Sequence, residues 1–482
     1  MRTRTALVAI LLVIATVAPA VAQQTGGIRG RVTDNTGAVL PGVTVTLGSE
    51  AGAPQSAVTT ETGTYLFASL PNGVYTLTFE LAGFQTILRE GLRLNLGQTL
   101  DINQVLEISS VEETITVTGE TPVVDTTETG TSATFNREML QTLPSARDPW
   151  VILEQTPGIT MDRANVGGSQ SGQQSGYISR GDGSGNNKWT IDGVDITDMS
   201  ATGASPIYYD FDMLEEMQIV TGGVDASQQT GGVGINMVTR SGTDRFRGSG
   251  RFYYTDDKFE ADNITDELKL AGAGSGAPIQ NIKDFGFEVG GPIMKGKMWY
   301  WGSYGKQDIK AGIVGFYLPS AECQAIKQAL KADPLANIPT SDVRACLGTD
   351  GTRLTNYNWK FSWAVTRSNK FSFQNTWAEK FKNARNASDT RPIETTYRQR
   401  AVANTPTQKF GTWGWDIGPS PLWKAGDQHI FSDRLLLDVQ WAHLGNNFIL
   451  DYHEDSLRDV QRLYNIDTGI YERSYGSSGP TG

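Results

Sequence analysis

The strongest constraint on the fold is a period-two alternation of side chains in the C-terminal half of the chain. From Tyr357 to Val365, large apolar residues alternate with asparagine, lysine, serine and alanine, and the run from Leu435 to Trp441 repeats the pattern. Such alternation predicts β-strands with one apolar and one polar face. Because aromatic residues dominate one face, and charged or amide residues the other, the pattern favours strands of a lipid-embedded barrel over those of a soluble sandwich.

The N-terminus has the features of a secretory signal. Arg2 and Arg4 precede an apolar run, Ala6 to Val17, that is shorter than the ~20 residues of a bilayer-spanning helix. The small-x-small sequence Ala20–Ala22 marks a cleavage site. We therefore expect a signal peptide over residues 1–22 and an exported mature chain, with an uncleaved anchor as the alternative.

Charge and cysteine content exclude several classes of function. The formal net charge is −11, so the chain lacks the basic character that nucleic-acid binding requires, and we expect no nucleic-acid partner. Two cysteines, Cys323 and Cys346, lie in one polar insertion; outside the cytoplasm a disulfide is the favoured interpretation, with two free thiols as the alternative. The three histidines lack zinc-site spacing, so neither a metal nor a cofactor is expected.

Residues 26–108 predict a small antiparallel β-sandwich. Val43, Val45 and Leu47 alternate with threonine, and Pro71–Gly73 has the composition of a tight turn. The sequence frames from Gly30 to Leu47 and from Thr60 to Phe84 resemble the carboxypeptidase regulatory-like domain. That resemblance implies a non-catalytic module and leaves the activity of the chain open.

A short strand lies beyond the sandwich, in VEETITVTGETPVVD. Ile115 and Val117 face one way and the threonines the other. The stretch that follows, up to Gly130, is rich in proline, threonine and acidic residues and is expected to be flexible. We predict an unpaired strand that a second protein binds by β-augmentation. The alternative is an additional strand of the sandwich.

Two resemblances suggest what this second protein is. ETITVTG resembles the TonB box of TonB-dependent receptors, and residues 131–243, which include IDGVDITD and INMVTRSGT, resemble their plug domain. With the preceding sandwich, this order of features resembles the Oar-like branch of that family. It implies a box and linker over residues 111–130, with TonB as the partner. The expected contacts are Glu113, Thr114, Ile115, Thr116, Val117 and Thr118.

Local signals within the plug-like segment predict its elements. Asp148 is a plausible helix N-cap with Pro149 at the first helical position. Asp192-Gly193 is a strong signal for a two-residue hairpin turn. The segment is therefore expected to be a mixed α+β domain.

Residues 245–482 are expected to form the N-terminal part of a transmembrane β-barrel. We count about eight strands there, whereas the receptors that the chain resembles close a barrel of about 22. The hypothesis is therefore that the chain is a fragment of a longer gene product. A polar insertion from about Ala311 to Leu354 is expected to be an extracellular loop that holds both cysteines.

The predicted fold class is mainly β: an N-terminal β-sandwich, an α+β plug domain and the start of a large antiparallel transmembrane β-barrel. The resemblance implies TonB-energised uptake of an unidentified extracellular substrate across a Gram-negative outer membrane, with the sandwich in the periplasm and the barrel in lipid. The alternative is a non-transporting outer-membrane protein for adhesion or carbohydrate binding. No motif supplies a nucleophile and base, so we expect no enzyme.

Overall fold

The structure is a computed structural model. It describes residues 26–49, 52–109, 114–118, 130–163, 165, 168, 170–198, 202–205, 208–223, 230–273, 276, 278–366, 368–400, 422–432, 435–445, 449–457 and 459–474. The expected signal peptide and Glu113 lie outside this range. Within it, no helix has the length and apolar character needed to cross a membrane.

The N-terminal sandwich consists of two sheets that enclose one apolar core. Its strands are β1 (Gly26–Asp34), β2 (Thr44–Ser49), β3 (Gly52–Val58), β4 (Thr64–Leu70), β5 (Gly73–Glu80), β6 (Thr86–Leu94), β7 (Thr99–Asp101) and β8 (Gln104–Leu106). Strand β9 (Thr114–Thr118) is added at one edge, giving sheets β4-β1-β7, with β8 also on β1, and β3-β2-β5-β6-β9. The alternating residues Val43, Val45 and Leu47 point into the core.

The sandwich is not wholly antiparallel, so that part of the prediction was wrong. Strand β1 pairs in parallel with β7 and β8, and β6 pairs in parallel with β9. The reason is that the chain after β6 crosses to the other sheet rather than turning back in a hairpin. Local alternation reports that a strand exists but carries no information on the direction of its neighbour.

At Gly30 of β1, the neighbouring backbone between β7 and β8 leaves no room for a side chain. A Cβ atom placed there would lie 1.9 Å from the carbonyl oxygen of Ile102, which also accepts a hydrogen bond from the Tyr65 hydroxyl at 2.7 Å.

We expect Gly30→Ala to destabilise the sandwich by about 1–3 kcal/mol, the usual range for overpacking. Hydrogen exchange in peptides from residues 26–34 and 99–106 measures this. Val58→Ala, at an exposed position of β3, is the control, and equal protection of these peptides in both variants would contradict the prediction.

The central domain, defined here as residues 130–240, is a mixed α+β unit. It contains β10 (Thr131–Asn136), α1 (Arg137–Thr142), α2 (Pro149–Glu154), β11 (Ile159–Met161), β12 (Tyr177–Ser179), β13 (Lys188–Ile191), β14 (Val194–Asp195), β15 (Leu214–Gly222) and β16 (Gly234–Thr239). Its main sheet has the order β10-β15-β16-β13-β14. The α+β prediction is confirmed.

Both local signals in the central domain are confirmed. The Asp148 carboxylate accepts the Trp150 N–H at 3.0 Å and caps α2, which starts with Pro149. Asp192 and Gly193 both have positive φ, 45° and 85°, as a type I′ turn between β13 and β14 requires.

The remaining strands form a long antiparallel sheet, called the wall here. Its strands are β17 (Arg247–Asp256), β18 (Ile279–Met294), β19 (Met298–Tyr317), β20 (Leu347–Thr366), β21 (Asn369–Arg385), β22 (Tyr397–Arg400), β23 (Leu422–Ser432), β24 (Leu435–Leu444) and β25 (Ile449–Tyr452). They follow in sequence order up to β21, which pairs with both β22 and β23. A separate pair, β26 (Leu463–Tyr464) and β27 (Tyr471–Glu472), comes last.

The wall has an apolar outer face and a polar inner face, as the alternation predicts. Tyr357, Trp359 and Trp363 of β20 are 38–48% exposed, whereas the intervening Asn358 and Ser362 are 4% and 6% exposed. The polar side chains of the wall therefore face the central domain. The aromatic side chains face outward, as a lipid-exposed band does.

The connections differ in length between the two ends of the wall. At one end, the short turns include residues 295–297, while the loops at the other end contain α3 (Asp266–Leu270), α4 (Ala321–Ala332) and α5 (Thr340–Ala345). The loop predicted from Ala311 to Leu354 is shorter in the structure and covers residues 318–346. Backbone pairing extends beyond Ala311 to the pair of Gly312 with Thr349 and, after a register shift, to the pair of Tyr317 with Leu347.

A disulfide joins Cys323 and Cys346 within this loop. Three contacts tie the same loop to its neighbours: Lys327 to Asp389, Arg344 to Glu260 at 3.8 Å, and Thr340 to Asp262 at 2.8 Å. The helical loop therefore connects the loops on both sides of it.

Candidate partner-binding and gating site

Strand β9 carries the residues predicted to bind a partner, and it is not unpaired. Its five residues lie parallel to β6, in register from Thr86 opposite Thr114 to Glu90 opposite Thr118. The prediction of an unpaired strand was therefore wrong, and the alternative of an additional sandwich strand describes the structure. No local pattern distinguishes a free strand from an edge strand, because both need the same alternation.

The outer edge of β9 remains open in the described part of the chain. Strand β9 is the last in its sheet and pairs with β6 alone, and the Thr116 side chain is exposed. For Thr114, Ile115, Val117 and Thr118 the structure describes the backbone. The candidate contacts are thus presented in extended form on one side of the sandwich.

Glu216 of β15 connects the sandwich to the central domain. Its carboxylate accepts the Leu96 N–H at 2.8 Å and the Asn72 side-chain amide at 3.3 Å, and the residue is 3% exposed. Burial raises the pKa of Glu216, while these two hydrogen bonds act in the opposite direction. Gln218, two residues further along the strand, donates to the Leu96 carbonyl at 3.4 Å.

A buried cluster of two arginines and three aspartates connects the central domain to the wall. From the central domain come Arg147, Asp210 and Asp212, and from the wall come Arg251 and Asp284. Both guanidinium Nε atoms contact the Asp284 carboxylate, at 2.8 Å from Arg147 and 2.9 Å from Arg251. Arg251 also lies 2.8 Å from Asp210 and contacts Asp212. Burial raises the pKa of Asp210, and the Arg251 guanidinium opposes this shift.

A second ionic contact lies further along β18. The Glu288 carboxylate accepts from Arg137 at 3.1 Å and from the Ser249 hydroxyl at 2.8 Å, and it also contacts Arg240. Glu288 belongs to the wall, whereas both arginines belong to the central domain. Like the first cluster, this contact holds an element of the central domain against β17 and β18.

Asp192 forms a third contact, towards the short turns of the wall. Its carboxylate accepts from the Gln374 amide at 2.8 Å and lies 3.5 Å from the Lys360 ammonium group, and its backbone carbonyl accepts from Lys424. Burial alone would raise the pKa of Asp192, but the Lys360 and Lys424 cations and the hydrogen bonds from Thr239 and Gln374 lower it below the usual value. The hairpin turn of the central domain thus contacts β20, β21 and β23.

A small cavity of about 160 Å³, lined by both polar and apolar side chains, lies at the opposite end, next to the long loops. Gln173 of the central domain reaches the wall there: it accepts from Lys382 at 2.9 Å and donates to Thr352 at 3.2 Å. Asp350 balances the Lys382 charge at 2.8 Å, and the buried Ser171 hydroxyl also lines the cavity. This is where a molecule entering from the loop side could touch both domains.

Sequence reasoning missed the polar contacts between the central domain and the wall. Arg147 and Asp284 are separated by 137 positions, and Asp192 and Gln374 by 182. No spacing motif reports pairs so far apart. A weaker signal was present, since lysine and acidic residues on the polar face of a lipid-exposed strand need partners inside the barrel.

Comparisons with known families agree with the three-part organisation. Residues 27–107 match the model of the Carboxypeptidase regulatory-like domain, residues 125–235 that of the TonB-dependent Receptor Plug Domain, and residues 238–480 that of the Outer membrane beta barrel domain. The last match covers half of the chain.

Individual relatives come from the same group of proteins. The chain is 29% identical over 267 residues to the TonB-dependent transporter Oar of Myxococcus xanthus, a match that covers 52% of this chain and 23% of Oar. Among solved structures, the ferric enterobactin receptor PfeA of Pseudomonas aeruginosa aligns with a TM-score of 0.44 and 11% identity, covering 72% of this chain and 45% of PfeA. The siderophore receptor PirA of Acinetobacter baumannii aligns at 0.41 and 13%, covering 62% and 38%. The chain thus spans under a quarter of Oar and under half of each receptor.

Proposed function

We propose that this chain, which belongs to the Outer membrane beta barrel domain family and also matches the TonB-dependent Receptor Plug Domain, imports a substrate with energy supplied through TonB. In this proposal the wall is part of the transmembrane barrel and the central domain is the plug that fills it. The sandwich then lies in the periplasm with the short turns, and the long loops face the outside. The protein carries out no chemical conversion of its substrate.

One observation carries the proposal. Among the described residues, strand β9 has an open edge, and it precedes along the chain a plug whose ionic contacts with the wall are largely buried. Breaking such contacts costs free energy. A strand with an open edge suits β-augmentation by a second protein. The plug contacts at Asp284, Glu288 and Asp192 are the ones that must be released before anything passes.

The cavity beside the long loops is the proposed place of first contact with substrate. Gln173 and Ser171 supply plug groups, while Thr352, Asp350 and Lys382 supply wall groups. A substrate that displaces the Gln173 bonds to Lys382 and Thr352 would alter the plug and the wall together. Binding outside could in this way be communicated to the plug.

Transport can be tested while the substrate is still unidentified. Culture media from the wild-type bacterium, a strain lacking this gene and a strain lacking TonB are compared by untargeted mass spectrometry after growth. We expect at least one compound to be depleted by the wild type and left in the medium by both mutants. If the strain lacking this gene no longer attaches to surfaces, the strain lacking TonB attaches normally, and no compound differs between the media, the protein is an adhesin and the proposal is wrong.

A further inference from the structure

The sandwich and the candidate TonB box form one continuous sheet. Strand β9 follows β6 in the order β3-β2-β5-β6-β9, and five consecutive residues of each are in register. Since β5 occupies the other edge of β6, the outer edge of β9 is the outer edge of the sheet. Edge strands of this kind are open templates for pairing with another chain.

The same strand of the sandwich leads directly to its contact with the plug. Strand β6 ends at Leu94, and two residues later the Leu96 N–H donates to the buried Glu216 carboxylate. Asn72, in the turn before β5, donates to the same carboxylate. A continuous path of backbone pairing and hydrogen bonds therefore runs from β9 through β6 and Leu96 to β15 of the plug.

We propose that TonB pairs with the outer edge of β9 while β9 stays on β6, so that the sandwich is part of the TonB-binding site. This inference rests on the proposed function. TonB would supply the sixth strand of a sheet that already has five. The sandwich holds the box extended before TonB arrives, which lowers the ordering cost of association. Pulling force then reaches the plug through Leu96 and Glu216 as well as through the linker.

Hydrogen exchange measured with and without the purified periplasmic domain of TonB tests this arrangement. We expect TonB to increase protection of the backbone amides of residues 114–118 and to leave protection of residues 86–94 unchanged. If TonB instead exposes the β6 amides, the strand leaves the sandwich on binding and the inference is wrong. If TonB protects neither segment and does not bind at all, the proposed function itself fails.

A cross-linked variant provides an independent measurement. Leu88 and Thr116 are register partners, and adjacent strands lie at about 4.8 Å, within disulfide range. The double variant Leu88→Cys, Thr116→Cys therefore fixes β9 on β6 when oxidised. We expect the oxidised form to bind TonB at least as tightly as the reduced form. Binding that is tenfold weaker after oxidation would overturn the inference.

Two controls accompany the cross-link. The wild-type chain is treated with the same reductant, which accounts for any effect of opening the Cys323–Cys346 disulfide. Each single cysteine variant is also measured, which separates the cross-link from the substitutions. If all the controls bind TonB equally, a difference between the oxidised and reduced double variant is caused by the position of β9.

Discussion

Replacing Ile115 by proline should weaken binding of the TonB periplasmic domain by at least about a hundredfold. Proline removes one backbone donor and fixes φ, so it is poorly tolerated in a paired strand. The expected loss corresponds to about 2.8 kcal/mol, because each 1.4 kcal/mol is a factor of about ten in affinity. Ile115 is the second residue of a five-residue strand, so the altered backbone lies inside the segment available for pairing. Surface plasmon resonance with the purified TonB domain measures the effect.

The matched control places proline outside the candidate box. Thr126→Pro introduces the same residue in the linker, where no pairing with TonB is proposed, and Ile115→Val keeps the β-branched side chain. Both should bind TonB as the wild type does. In cells, the Ile115→Pro strain should leave in the medium the same compounds as the strain lacking TonB. Normal TonB binding by Ile115→Pro would refute the assignment of the box.

Replacing Arg251 by alanine should weaken the attachment of the plug to β17 and β18 of the wall. The Arg251 side chain is 8% exposed and contacts Asp210, Asp212 and Asp284. Its removal leaves three buried carboxylates with Arg147 as their remaining guanidinium partner in this cluster. Removing one partner of a buried ionic contact typically costs about 3–5 kcal/mol. We expect amide exchange in peptides covering residues 208–223 to accelerate by roughly two orders of magnitude or more.

The control for this change removes a charge from a surface pair on the wall. Lys306 lies 3.4 Å from Asp308, and both side chains are partly exposed, so Lys306→Ala should cost about 0–1 kcal/mol. Arg251→Lys should restore only part of the protection, because one ammonium group cannot reproduce the geometry of the guanidinium. If Arg251→Ala leaves exchange in these peptides unchanged, the cluster does not hold the plug.

Sequence reasoning succeeded where a local pattern determines the structure. The aromatic alternation in β20 predicted which side chains face outward, because side chains alternate with a period of two along any strand. Asp148 and the Asp192-Gly193 turn were found because a helix cap and a type I′ turn need particular residues at fixed positions. These signals depend only on neighbours in the chain.

Sequence reasoning failed where the structure depends on residues that are far apart in the chain. Strand β3, with the sequence GAPQSAV, has one strong β-forming residue, Val58, and is held by pairing with β2. The docking of β9 on β6 and the cluster around Asp284 involve partners that no spacing rule brings together. In both cases the final arrangement reflects the tertiary fold rather than local preference.

The disulfide-closed loop offers a practical way to determine which side of the membrane each end of the wall faces. The stretch between α4 and α5 is largely exposed, and it lies within the loop that the Cys323–Cys346 disulfide closes. A short epitope inserted after Pro334 should therefore be displayed without altering the strands. Antibody labelling of intact cells would then show which end of the wall lies outside the cell.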